Sequence, residues 1–220
     1  MENIVIIGSG GHSKVVIDII EKSKQYKIIG LVDSFRQVGE ETFNYPILGG
    51  IDELQSIIKK YAVHNCFIAV GDNWNRFLIY KKLEEKSLEF NYPYLIDNSA
   101  VIGKNCKIGR GVVVMPLVSL NANSVINDFC ILNTRSSIDH DSEMGDYSSV
   151  GPGVTAGGNV RIGNYTHIGI GTTIKNNICI GANSVIGAGS LIIKDQPSSF
   201  VCYGHPCIPV KARKSEDSYL

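Results

Sequence analysis

The chain lacks the features that mark nucleic-acid-binding, membrane-spanning and disulfide-rich proteins. Its 21 Lys and Arg residues balance 21 Asp and Glu residues without a basic cluster, which disfavours nucleic acid as a partner. No apolar run approaches the roughly 18 residues that a membrane span requires. The start has no positive segment before its first glycine turn, so we expect no signal peptide and a cytoplasmic protein. The six cysteines form no C-x-x-C pair, and we assign no role to Cys202 or Cys207.

What the chain does contain is an internal repeat with a period of six residues. From Ile96 to Ile192 every sixth residue is large and apolar, with Ala156 as the one exception, and glycine often follows it. Helices repeat at about 3.6 residues and strands at 2, so neither element alone produces this period. A short strand followed by a tight turn does, because each unit buries its apolar side against the next copy.

This pattern resembles the hexapeptide repeat of the left-handed parallel β-helix acyltransferases. The resemblance implies a three-sided prism with three hexads per coil, and a homotrimer with active sites in the clefts between prisms. We therefore expect residues 96–193 to form the β-helix and residues 194–220 to form a C-terminal extension and tail. The polar tail from Lys211 to Leu220 is expected to be disordered.

Residues 1–95 follow a different pattern, in which short apolar strands alternate with helical segments. One strand leads into the glycine turn that begins at Gly8, a second ends at Asp33, and a third closes on Gly71. This alternation predicts a small parallel α/β sheet, a Rossmann-like half. Its ligand crevice is expected beyond the carboxyl ends of the strands, where these three positions converge.

The glycine turn is a partial dinucleotide-binding fingerprint. Gly8 and Gly10 fit the G-x-G-x-x-G pattern, but Ser13 stands in the third place. Backbone N–H groups at a helix N-terminus still favour phosphate, so a nucleotide with one pyrophosphate suits residues 1–95. Asp33 either accepts a hydrogen bond from a ribose or base or is a solvated turn residue. Trp74 either contacts the nucleotide or packs between the domains.

His140 is the sharpest candidate for catalysis. It lies two residues after a repeat position, and Asp141 follows it, so a carboxylate could fix its tautomer and raise its basicity. The alternative is a surface histidine that happens to sit beside an aspartate. An eighteen-residue coil places Gly158 one rung above His140, at about 4.8 Å. Glycine leaves its backbone N–H accessible, as a developing oxyanion requires.

The combined motifs resemble one family of sugar O- and N-acyltransferases, the sialic acid acetyltransferase type. They are the glycine turn of an α/β domain and, within the repeat, Asn133-Thr134, residues 138–141 and residues 156–160. Within this family, the chain is most similar to the bacterial enzymes that acetylate UDP-4-amino-4,6-dideoxy sugars on the route to bacillosamine. The resemblance covers nearly the whole chain.

The family resemblance implies a role for each matching residue. His140 is the catalytic base, Asp141 orients it, and the backbone amide of Gly158 lies near the thioester of acetyl-CoA, the co-substrate. Six residues match positions that hold the uridine nucleotide of the sugar substrate: Gly10, Gly11, His12, Asp33, Ser34 and Gly71. Three others match positions that line the acetyl-CoA cleft: Ser149, Ile170 and Ala188. No metal is implied.

Two departures from the family pattern affect details. The family pattern allows a glutamate after the histidine and a second acidic residue after the nucleotide-binding aspartate, where this chain has Asp141 and Ser34. The usual C-terminal G-x-P-A-K-P motif becomes residues 204–209 without its lysine. The nucleotide and sugar, and any CoA contact of that lysine, therefore stay open.

Three alternatives compete with N-acetyl transfer. An O-acetyltransferase acting on sialic acid or a polysaccharide precursor would use the same base and co-substrate. A zinc hydratase of the γ-class carbonic anhydrase type would need converging histidines, but His140 and His167 are not a whole number of coils apart. A non-catalytic nucleotide-sugar-binding scaffold would have no need of the His140-Asp141 pair.

Overall fold

The computed structural model of the protein describes residues 1–219. The chain separates into two compact units. The first contains residues 1–71 and 75–95, and the second contains residues 72–74 and the chain from residue 96 onward. Among the described residues, no helix has the length and apolar character needed to cross a membrane.

The first unit is a five-stranded sheet with three α-helices and one short 3-10 helix. The strands are β1 (Glu2–Ile7), β2 (Tyr26–Val32), β3 (Glu41–Thr42), β4 (Tyr45–Gly49) and β5 (Asn65–Ile68). The helices are α1 (Gly11–Ser23), the 3-10 helix (Ile51–Glu53), α2 (Leu54–Tyr61) and α3 (Asn73–Glu85), whose start falls in the second unit. The strand order is β3-β4-β2-β1-β5, with every neighbouring pair parallel except β3 and β4. The predicted parallel α/β domain is confirmed.

Helix α1 forms because its apolar residues recur at helical spacing. Val16, Ile17, Ile19 and Ile20 are all buried, and burying such a face is what stabilises a surface helix. The helix starts directly after the turn that follows β1, so its first backbone N–H groups lie at the carboxyl edge of the sheet. This places the glycine turn where open α/β sheets bind ligands.

The second unit is a parallel β-helix of two-residue strands that recur every six residues. The strands are β6 (Leu95–Ile96), β7 (Val101–Ile102), β8 (Lys107–Ile108), β9 (Val113–Val114), β10 (Ser119–Leu120), β11 (Val125–Ile126), β12 (Ile131–Leu132), β13 (Ser137–Ile138), β14 (Glu143–Met144), β15 (Ser149–Val150), β16 (Thr155–Ala156), β17 (Arg161–Ile162), β18 (His167–Ile168), β19 (Thr173–Ile174), β20 (Cys179–Ile180), β21 (Val185–Ile186) and β22 (Leu191–Ile192). Each strand from β6 to β19 pairs with the strand three places further on, which makes three sheets of parallel strands. The predicted left-handed β-helix is confirmed.

The core of the β-helix consists of the repeat positions themselves. Ile138 pairs with Ala156 across one coil of eighteen residues, and both are buried. From Val112 onward, the residue two places before each repeat position is buried as well. Ser124, for example, is fully buried, and its hydroxyl donates to the carbonyl of Asp139 at 3.0 Å. A small hydroxyl therefore satisfies a turn carbonyl that would otherwise be buried without a partner.

The tail that was expected to be disordered begins inside a strand of this structure. Strands β23 (Phe200–Tyr203) and β24 (Ile208–Ala212) form an antiparallel pair that extends one sheet of the β-helix. Arg213 is buried and donates to the carbonyls of Asn183 and Asp217. The expectation of a disordered tail is therefore wrong for the described residues, because a buried guanidinium fixes the chain that supplies its acceptors. Leu220 lies outside the described residues.

Candidate active site

Two carboxylates hold His140 at a corner of the β-helix, one through its ring and the other through its backbone N–H. Its Nδ1 lies 2.7 Å from Oδ2 of Asp141, and its backbone N–H donates to Oδ1 of Asp139 at 2.8 Å. An ionised carboxylate only accepts hydrogen bonds, so Nδ1 carries the proton and Nε2 is left with a lone pair. When the imidazole is neutral, it is therefore in the tautomer that can take a proton through Nε2.

The same two carboxylates raise the pKa of His140. The hydrogen bond to Asp141 is the main cause, and the charge of Asp139 adds to it. In return, the hydrogen bond from His140 lowers the pKa of Asp141. The pKa of Asp139 is also lowered, chiefly by a hydrogen bond from Asn121. Both carboxylates are therefore ionised at neutral pH, and the base between them is stronger than a free histidine.

Gly158 lies directly against the His140 imidazole, one coil above it. A Cβ at residue 158 would stand 2.6 Å from Cε1 and 2.7 Å from Nε2 of His140. The carbonyl of Gly158 accepts from the N–H of Asn177 at 2.9 Å. Within residues 1–219, the N–H of Gly158 has no hydrogen-bond partner. The residue that packs against the base thus has an unpaired backbone N–H.

The three residues matched to an acetyl-CoA cleft differ in exposure. Ile170 is 56% exposed, and Ala188, one coil above it, is exposed as well. They form a small apolar edge at one corner of the β-helix. Ser149 is buried, and its Oγ lies 2.8 Å from Nδ1 of His167, its register partner. His167 pairs with Ser149 and not with His140, as the coil length requires.

The two glycines of the turn in the first unit are open to ligand. A Cβ at Gly10 or Gly11 would meet nothing within 4 Å. Asp33 braces the turn, since its Oδ2 accepts from the Oγ of Ser9 at 2.6 Å and from the N–H of the same residue at 3.1 Å. Oδ1 of Asp33 accepts from the N–H of Phe35 at 2.9 Å. Asp33 is thus a turn residue whose remaining lone pairs stay available.

Ser34, His12 and Gly71 occupy different surroundings in this unit. Ser34 is exposed, and its Oγ accepts from the N–H of Ile51 at 3.4 Å. Burial, with a smaller effect from the charge of Arg76, lowers the pKa of His12 to about 4, and its Nε2 has no partner among the described residues. Arg76 is buried and donates to the carbonyl of Gly71 at 3.0 Å. His12 is therefore neutral at pH 7.

Several residues that the sequence did not single out belong to these sites. An open depression in the first unit is lined by Ser9, Gly10, Gly11, Lys14, Arg36, Glu41, Thr42 and Phe43. Lys14 and Arg36 add positive charge there, but isolated basic residues in a neutral chain give no sequence signal. In the second unit, Asn121 and Asn123 contact the two carboxylates. Both lie eighteen residues before their partners, so the coil period could have found them.

The fold and this corner define the class of protein. A parallel β-helix of hexapeptide repeats with a histidine-carboxylate pair at one corner, preceded by a parallel α/β unit with an open glycine turn, is the architecture of a hexapeptide-repeat acyltransferase. Residues 3–83 match the family model described as the PglD N-terminal domain. The chain belongs to the family of PglD-type sugar N-acetyltransferases, as its likeness to solved members over nearly its whole length shows.

The solved and curated relatives differ in how much of the chain they match. A mutant of perosamine N-acetyltransferase from Caulobacter crescentus, in complex with CoA and GDP-perosamine, is 30% identical with a TM-score of 0.89, over 96% of this chain and 98% of that one. The acetyltransferase domain of PglB from Neisseria gonorrhoeae FA1090, in complex with acetyl coenzyme A, is 30% identical with a TM-score of 0.85, over 95% and 99%. UDP-N-acetylbacillosamine N-acetyltransferase of Bacillus subtilis (strain 168) is 32% identical over 118 residues. That match covers 52% of each chain, so this chain spans about half the length of the curated relative.

Proposed function

We propose that this chain transfers the acetyl group of acetyl-CoA to the amino group of a nucleotide-activated sugar, with His140 as the general base. The observation that carries the proposal is the His140-Asp141 pair, whose free Nε2 lies against Gly158. A base, its orienting carboxylate and an unpaired backbone N–H meet at one corner. A general base and an oxyanion donor are groups that accelerate acyl transfer to an amine.

The proposed reaction uses the corner as follows. Acetyl-CoA supplies the acetyl group as a thioester. Nε2 of His140 takes the proton that the sugar amine loses as its nitrogen bonds to the acetyl carbon, and the carbon-sulfur bond then breaks to release CoA. Asp141 stabilises the imidazolium that forms. The N–H of Gly158 donates to the carbonyl oxygen while it carries negative charge.

The apolar edge of Ile170 and Ala188 suits the acyl donor. The pantetheine arm of CoA is long and partly apolar, and burying it against an exposed isoleucine is favourable. Solved relatives of the chain are complexes with CoA and with acetyl coenzyme A. We place the donor along this edge, with Ser149 nearby in the same unit.

The acceptor is proposed to be a UDP-linked 4-amino-4,6-dideoxy sugar, held through its nucleotide by the first unit. The open turn at Gly10 and Gly11 offers helix N-terminal N–H groups for phosphate. Asp33, Ser34, His12 and Gly71 are proposed to surround the nucleoside. The names of the relatives include both a UDP sugar and a GDP sugar, so the nucleotide has to be measured. A homotrimer, the assembly that the family resemblance implies, is part of the proposal and is testable by sedimentation.

A thiol-release assay with acetyl-CoA tests this function. The acceptor panel contains UDP-, GDP- and dTDP-linked amino sugars together with sialic acid, and mass spectrometry locates the acetyl group on nitrogen or oxygen. We expect N-acetylation of a UDP-linked amino sugar. His140→Ala should lower kcat by about 10²- to 10⁴-fold with CoA affinity unchanged, whereas His64→Ala, which removes an exposed histidine of the first unit, should have no effect. Near-normal turnover by the His140 variant would remove this residue from the mechanism.

A further inference from the structure

Residues eighteen apart lie above one another at a corner of the β-helix and form a column. One such column of five residues contains asparagine at every position but one. Its members lie eighteen residues apart and take the left-handed backbone conformation, with φ between 56° and 61°: Asn105, Asn123, Asp141, Asn159 and Asn177. Asparagine and aspartate are the non-glycine residues that adopt this conformation most readily. Asparagine satisfies the backbone at four coils, so the conformation alone does not require a carboxylate at residue 141.

The side chains of this column are hydrogen-bonded in one direction up to Asp141. Nδ2 of Asn105 donates to Oδ1 of Asn123 at 3.2 Å, and Nδ2 of Asn123 donates to Oδ1 of Asp141 at 3.2 Å. Above the site, Nδ2 of Asn159 donates to Asn177 at 2.8 Å, away from Asp141. Because Asn123 accepts through its oxygen, its amide nitrogen must face Asp141. The chain of hydrogen bonds that starts at Asn105 therefore ends at the carboxylate of Asp141.

Each oxygen of Asp141 has its own partner. Oδ1 accepts from Asn123, and Oδ2 pairs with Nδ1 of His140. The side chains of His140 and Asp141 are 59% and 54% exposed, so packing alone does not fix their rotamers. We propose that Asn123, supported by Asn105, is a positioning residue that holds the Asp141 carboxylate and through it the tautomer and orientation of His140. The inference rests on the proposed role of His140 as the base.

The second carboxylate beside His140 is held independently. Asp139 accepts from Nδ2 of Asn121 at 2.7 Å and from the backbone of His140 at 2.8 Å. Asp139 and Asp141 are the charged groups that act on the His140 imidazole. Loss of the Asn123 amide therefore releases one of the two carboxylates that act on His140 and leaves the other held by Asn121, so its effect can be isolated.

Asn123→Gly tests the proposal, with Asn177→Gly as the matched control. Glycine keeps the left-handed backbone and removes only the amide. We expect Asn123→Gly to lower kcat about tenfold, with the KM of both substrates changed by less than about twofold. In NMR spectra of the full chain with labelled histidine, the pKa of His140 should fall towards 6.5, and the Nδ1–H tautomer should lose population. Asn177 lies in the same column at the same φ, and its side chain bonds to Asn159 and not towards Asp141. Glycine keeps the backbone N–H of residue 177 that donates to Gly158, so Asn177→Gly should change none of these quantities.

Asn123→Asp is the second variant. It keeps the shape and the backbone preference but replaces the donated hydrogen bond with a second anion next to Asp141. The two negative charges should raise the pKa of His140 and move the acid limb of the kcat profile to higher pH, opposite to the glycine variant. An unchanged pKa and tautomer of His140 in Asn123→Gly would show that Asn123 only forms the turn and does not position His140. The NMR titration needs no turnover, so it judges Asn123 even if the chain proves not to transfer acetyl groups.

Discussion

The Cα of Gly158 lies so close to the imidazole of His140 that a Cβ there would stand 2.7 Å from Nε2. Real Cβ atoms do not approach other atoms this closely, so either the imidazole or the coil must move. The glycine thus has two consequences at one point, since it leaves room for the base and exposes a backbone N–H beside it. This contact gives the first prediction.

Gly158→Ala should displace the His140 ring and lower kcat by about 10²-fold or more, because a general base must stay within hydrogen-bond reach of the proton it takes. The fold should survive, since residue 158 is not in the left-handed region and other corners of this β-helix carry side chains. Steady-state kinetics and the thermal unfolding temperature measure the two effects.

Gly153→Ala is the control for Gly158→Ala. Gly153 has φ of +66° and open space around its Cβ position, so alanine there adds backbone strain of about 1 kcal/mol without touching His140. It should lower stability and leave kcat unchanged. If both variants lose activity in proportion to stability, the Gly158 effect is structural and the contact with Nε2 has no special role.

The pH dependence of kcat should report His140. Asp141, with Asp139, raises the pKa of His140 above 6.5, and only the neutral imidazole can act as a base. Activity should therefore fall as pH falls through this raised pKa. In Asp141→Asn the pKa should drop, so the acid limb moves to lower pH while the plateau kcat decreases about 10²-fold through loss of the orienting carboxylate. A limb that stays in place in the variant would mean that another group controls it.

The fold and the candidate corner at His140 could be predicted because the repeat has a fixed period. Once the period of six and the coil of eighteen are known, the positions of Gly158 over His140 and of Ser149 under His167 follow by counting. The same counting could have found Asn123 under Asp141. Each of these contacts joins residues at a fixed separation in sequence, so the sequence pattern contains it.

Other contacts could not be found by counting. The tail residue Arg213 reaches Asn183, and Ser9 braces Asp33 across the edge of the sheet, at separations that no period fixes. Their geometry depends on how the chain packs after its elements form. The polar composition of the tail suggested disorder because a single buried arginine has no signature in composition.

The apolar edge at Ile170 leads to a prediction about the acyl donor. Ile170→Glu places a carboxylate on a residue that is 56% exposed, where the proposed donor would bring apolar surface and phosphate charge. The KM for acetyl-CoA should rise at least about tenfold, with the KM for the nucleotide sugar unchanged, because lost burial and charge repulsion both weaken binding. Initial rates with each substrate varied in turn measure this.

Leu117→Glu controls for the added charge. Leu117 is 58% exposed in the same β-helix and belongs to none of the candidate sites. Its substitution should leave both KM values at their original level. Equal increases in the two variants would point to a general effect of negative charge on the unit and would count against a donor site at Ile170.

The buried imidazole of His12 should make the protein less stable in acid. Burial, with a smaller effect from Arg76, lowers the pKa of His12 from 6.5 to about 4 in the folded state. Between pH 6.5 and pH 4, His12 is therefore protonated in the unfolded chain and neutral in the folded chain. The stability that His12 contributes as a neutral group is fully present above pH 6.5 and is lost as pH falls towards 4. Between pH 7 and pH 5 the free energy of unfolding should drop by about 2 kcal/mol from this group.

His12→Phe keeps a ring of similar shape and cannot titrate, and no hydrogen bond to Nε2 is lost because this atom has no partner among residues 1–219. Urea unfolding measures the free energy of unfolding at pH 7 and at pH 5. The decrease between the two pH values should be smaller in the variant than in the natural sequence by about 2 kcal/mol. An equal pH dependence in both would show that His12 is protonated in the folded protein and that its pKa lies near the ordinary value.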